Sequence, residues 1–156
     1  MKPHRKKKHY EEMMVRMTKA IEAGFYLEAI WYAYAILEDR MIAILHRSGG
    51  AHDKKKKLFQ YFGHKLNIIN NRRKQDSLLR VYFPDASIAA LTSWKDKRND
   101  LMHAMANAAI PLTDIDKQAH LLAQDGKTLV KDTCRCARLL GRNRHQVSIP
   151  MTPFPY

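Results

Sequence analysis

Residues 25–47, FYLEAIWYAYAILEDRMIAILHR, constrain the chain more than any other stretch. Leu27, Ile30, Trp31, Tyr34, Ile36, Leu37, Met41, Ile42, Ile44 and Leu45 make this segment apolar on most sides. A helix of that kind has to be buried over most of its circumference, so other elements must surround it. Ser48-Gly49-Gly50 ends it. Residues 11–22 precede it with Met13, Met14, Met17, Ala20 and Ile21 at helical spacing, and Gly24 offers a stop. A third helix is expected over 58–69 from Leu58, Phe59, Phe62, Leu66 and Ile69, broken by Asn70-Asn71-Arg72-Arg73. A short helical piece at 77–83 ends before Pro84, because the residue preceding a proline is biased away from helix. Asp85 suits the N-cap of a helix over 86–109 that Pro111 closes. Thr113-Asp114-Ile115-Asp116 resembles a capping box and opens a last helix through Leu121, Leu122, Leu129, Val130, Ala137 and Leu140, with Gly126 placed to kink or split it. No stretch alternates as a strand does, and no repeat is visible. The expected fold class is all-α, a bundle of four to five helices.

A chain of 156 residues is long enough to bury about 70% of its unfolded surface in one core, so a single domain over 11–145 needs no metal or disulfide to fold. A basic tail at 1–10 and a proline-rich extended tail at 146–156 are expected to flank it. Cys134 and Cys136 are one residue apart, which suits neither an intramolecular bridge nor a zinc site and points to a reducing, cytoplasmic setting. The basic N-terminus is not followed by the apolar segment of a secretory signal. The longest apolar run, 29–37, is far short of a membrane span.

The formal net charge of +13, from 28 basic against 15 acidic residues, is concentrated at 2–9, 54–57, 72–74, 95–98 and 135–145. Any one of these runs reads as a solvated surface, but five together favour a polyanion, RNA or DNA, as partner. The sequence holds no glycine-rich phosphate loop, paired-histidine zinc helix, calcium loop or carboxylate cluster suited to magnesium. No metal or cofactor is therefore expected.

The least ordinary helix contains residues 94–107, WKDKRNDLMHAMAN, where Arg98, Asn99 and His103 sit among Leu101, Met102, Met105 and Ala106. Asn99 and His103, four apart, share a face that Asn107 extends. Arg98 lies about 140° around from His103, beside Leu101, Met102 and Met105. Either the long guanidinium arm reaches around, or the motif straddles a helix start or bulge, or a second copy supplies the missing partner. A cation on an apolar face is costly unless paired. Glu38 and Asp39 read either as the exposed side of the second helix or, functionally, as the carboxylate that faces Arg98 and fixes its direction.

RNDLMH fits the R-x4-6-H signature, in its R-N-x-x-x-H form, of HEPN domains (higher eukaryotes and prokaryotes nucleotide-binding), and EAGFYLEAIWYAYAILEDRMIAIL resembles their first two helices. The resemblance spans roughly residues 11–140 and implies a HEPN-like bundle. It also implies a homodimer with a composite active site and a metal-independent endoribonuclease of toxin-antitoxin, defence or RNA-processing type. Carried over, His103 is the general base or acid on the ribose 2′-hydroxyl or leaving oxygen. Arg98 binds the scissile phosphate, Asn99 orients one of them, and Asp39 or Glu38 is the polar partner on the second helix. Imidazole titrates near neutrality and a fixed guanidinium grips phosphate, so the chemistry fits the residues. Some toxins of the family carry a tyrosine two residues after the histidine that a partner nucleotidyltransferase modifies. Met105 stands there, a departure that puts neutralisation through that tyrosine in doubt; an antitoxin or nucleotidyltransferase is the further partner that the resemblance implies.

Two other readings compete. One is a non-catalytic HEPN-fold module that binds RNA or protein, and the other is a basic helical protein in which RNDLMH is accidental. Under the latter His103 is a core histidine satisfied by Asn99 or Asn107, Arg98 is a structural ion pair, and Trp31, Tyr32 and Tyr34 serve core or dimer packing.

Overall fold

The structure is a computed structural model and describes residues 3–147; the proline-rich tail expected from 146 falls outside it beyond Val147. Among the described residues there are six helices: α1 (Pro3–Glu22), α2 (Tyr26–Arg47), α3 (Phe62–Arg73), α4 (Ser77–Tyr82), α5 (Asp85–Ala106) and α6 (Leu112–Val147). None forms part of a sheet, and the sole β contact there is an isolated antiparallel bridge between His52 and Leu58. The all-α bundle expected from periodicity is what the chain forms. No described helix is long and apolar enough to cross a membrane.

The central position of α2 follows from its composition. Ala29, Ile30, Ala33, Ile36, Leu37, Met41, Ile44 and Leu45 are all buried, under α6 on the broadest front and under α1 and α3 on the others. Helix α1 reaches α2 through a tight reversal at Gly24, whose φ of +79° is a conformation a side chain disfavours. Phe25 N–H donates to the Ala20 carbonyl at 2.8 Å and Gly24 N–H to Ile21 at 3.1 Å, which closes the end of α1. Helix α1 begins at Pro3, so helix replaces the basic tail expected over most of 1–10, and Tyr10 already packs on the core. Proline is well placed at a first helical position, where its missing N–H costs nothing.

Both boundaries of the third helix differ from the expectation, the first because main-chain groups found distant partners and the second because side chains did. Helix α3 starts at Phe62, not 58, since Phe59 N–H is bound to the Ala51 carbonyl at 3.0 Å and Leu58 bridges His52. It then runs through Asn70-Asn71-Arg72-Arg73. Arg72 donates to the Leu45 carbonyl at the end of α2 at 3.0 Å, and Arg73 donates to Asn70 and Asp85, each at 2.8 Å. Asp76 caps α4 by accepting from Leu79 N–H at 2.9 Å and pairs with Arg144 of α6. Burial works against the Asp76 carboxylate, but these donors outweigh it and hold its pKa below the usual carboxylate range. That contribution to stability is present above the ordinary carboxylate pKa and is lost as pH falls through the lowered folded value.

Gly126 neither kinks nor splits α6. A Cβ there would sit 3.1 Å from the Ala33 Cβ of α2 and 3.1 Å from the Trp94 indole of α5. The missing side chain lets three helices meet, and the buried Trp94 N–H donates to the Leu122 carbonyl one turn earlier, at 2.9 Å. Gly126→Ala should therefore destabilise the protein by about 1–2 kcal/mol in urea unfolding, overpacking outweighing alanine's better helix propensity. An unchanged or raised midpoint would mean the helices are not in this close contact.

Candidate active site

Trp94 sets the rotation of α5. With Leu91, Trp94 and Leu101 buried against the bundle, Arg98, one turn beyond Trp94, has to stand in the same inward stripe. Asn99 and His103 consequently face solvent, and both are exposed. Helix α5 is continuous from Asp85, which is its first residue while Pro84 takes the N-cap position expected for it, to Ala106, so Arg98 to His103 straddles neither a helix start nor a bulge.

The Arg98 guanidinium lies over the ring of Tyr34 on α2, its Cζ 4.2 Å from the centroid, with the Trp31 ring at 5.8 Å. Its Nη1 donates to the Asn99 side-chain oxygen at 3.2 Å. The arm is thus joined to its neighbour Asn99 while its charge stays over the rings of α2. Its Nε is buried and has no hydrogen-bond partner among the described residues. A delocalised cation packed on aromatic faces is held in direction while its charge stays uncancelled. His103 is not a core histidine: its side chain is exposed, and the Asn107 contact runs through the backbone, Asn107 N–H to the His103 carbonyl at 3.0 Å.

The expected carboxylate partner is corrected. Glu38 forms its ion pair with Lys65 of α3, and Asp39 accepts from the neighbouring Arg40. Among the described residues no carboxylate is ion-paired to Arg98, because the ring of Tyr34 takes the place the acid was expected to fill. Lys65 was overlooked, although its position among Phe62, Leu66 and Ile69 put it on the apolar stripe of α3. It is 2% exposed, and one Glu38 oxygen is buried without a hydrogen bond. Tyr34 packs as the apolar pattern of its helix implies: the rings of Trp31, Tyr34, Phe62 and Trp94 follow one another with centroids 6.3, 5.4 and 6.3 Å apart.

Several cations counted toward a polyanion surface serve the fold instead. Arg72 and Arg73 bind the end of α2 and Asp85, and Arg144 pairs with Asp76. Lys54, Lys55, Lys56, Lys57 and Lys97 remain exposed. Cys134 and Cys136 are free thiols, and burial first, for both, pushes them above the ordinary thiol range. Among the described residues no three His, Cys, Asp or Glu side chains gather into a metal-binding group.

No family model, curated protein or solved structure matches the chain. The site rests on its geometry and on the motif that the sequence carries.

Glu38→Gln should leave the Lys65 ammonium buried without its counter-charge and cost about 3 kcal/mol of stability. Combining Glu38→Leu with Lys65→Met should recover most of that loss in chemical denaturation. A single variant as stable as the double would show that the pair is not buried as described.

Proposed function

We propose that this chain is a metal-independent endoribonuclease of HEPN type that acts as a homodimer and cleaves RNA through attack of the ribose 2′-hydroxyl. One observation carries the reading: a guanidinium held over Tyr34, without a carboxylate ion partner among the described residues and hydrogen-bonded to Asn99, sits on the same helix as the exposed His103. The arginines that close the bundle are held by an acid or by main-chain carbonyls. This one keeps its charge available for an anion.

RNA carries its own nucleophile. The imidazole of His103 takes the 2′-hydroxyl proton, the oxygen attacks the adjacent phosphorus, and negative charge builds on the phosphoryl oxygens. Arg98 stabilises that charge, from the same subunit or from its partner across the composite cleft. The 5′-oxygen leaves with a proton from a protonated imidazole, which the second subunit's His103 supplies in a composite cleft. The products are a 2′,3′-cyclic phosphate and a free 5′-hydroxyl end. Exposed Lys97 beside the motif and the excess of basic residues draw the substrate in. A toxin, defence or RNA-processing role and a cognate antitoxin belong to the same proposal.

Purified protein should cleave single-stranded RNA in the presence of EDTA, and His103→Ala should slow this about 100-fold or more with the helical content unchanged. Arg98→Ala should slow it about as much, and a 2′-deoxy residue at the scissile position should block it. Equal rates in wild type and His103→Ala would falsify the enzyme reading. RNA binding that weakens steeply with salt, with no cleavage by the wild type, would identify a binding module instead.

A further inference from the structure

Trp31 is 62% exposed, yet it is not loose: its ring stacks on Tyr34 at 21° between planes, and Arg98 stands over the same pair. The four rings from Trp94 to Trp31 run from the core to the surface, so the outermost indole inherits a fixed orientation from the innermost. Trp94 itself is 2% exposed. What sets Trp31 apart from the other exposed apolar side chains is the guanidinium beside its ring. The occupant has to be flat to use the indole face and anionic to satisfy the uncancelled guanidinium alongside.

We infer that Trp31 is a stacking platform for an unpaired nucleobase of the RNA whose phosphate Arg98 holds. This rests on the RNA reading above but not on turnover. Bases in a duplex are already stacked on both faces, so the platform selects single-stranded or looped RNA. A second copy laid flat over Trp31 would instead press two Arg98 groups together with no anion between them.

The protein has two tryptophans, one exposed and one buried, so the long-wavelength emission reports Trp31. The full-length His103→Ala protein, unable to cleave, should be titrated with single-stranded oligoadenylate at low salt. The expected result is quenching of the long-wavelength component, with binding weakened about tenfold by Trp31→Ala and largely restored by Trp31→Phe. Unaltered affinity in Trp31→Ala would overturn the platform, and so would emission that shifts blue with protein concentration alone and ignores RNA, the sign of a second copy on that face. Quenching by RNA together with a wild type that never cleaves would sustain the platform while removing the nuclease. Cleavage by the wild type with KM unchanged in Trp31→Ala would do the reverse.

Discussion

The contact at Gly126 is where this architecture is decided. Helix α2 must be covered, and α6 covers it only because a residue without a side chain lets the two backbones close on Ala33. The same gap admits the Trp94 indole, whose N–H reaches a carbonyl of α6. That hydrogen bond fixes α5 about its own axis. Everything distinctive about the candidate site is then a matter of angle: Arg98 follows Trp94 inward, while Asn99 and His103 are turned out.

Charge is divided along the same lines. The cations that close the bundle each have a named acceptor: Glu38 for Lys65, Asp85 for Arg73, Asp76 for Arg144, and main-chain carbonyls for Arg47 and Arg72. Arg98 is handled differently. It rests on rings, and a ring quadrupole attracts a cation without neutralising it. The difference separates an arginine that holds helices together from one that keeps its field for something else.

Much of the fold was legible in residue order, because apolar spacing reports helices directly. Helix α2 was found within one residue of its ends, and the reversal at Gly24 was marked by the glycine itself. Boundaries failed where long-range hydrogen bonds overrode local signals, as at Phe59 and at Arg72-Arg73. The site was legible in part. Spacing alone put Asn99 with His103 and Arg98 elsewhere, and the structure keeps that separation. The partner of Arg98 was misjudged because a cation on an apolar stripe suggests an acid, and nothing in the local pattern says that a tyrosine from another helix will be underneath.

Sequence by itself therefore settled the helical class, the burial of α2 and the relative faces of Arg98, Asn99 and His103, since all three depend only on periods along one helix. Tertiary structure alone decided which carboxylate went to which cation, that Gly126 is a point of close approach and not a break, and that Trp31 ends exposed beside Arg98. Those outcomes depend on distances between elements far apart in the chain, and such distances exist only once the helices have packed.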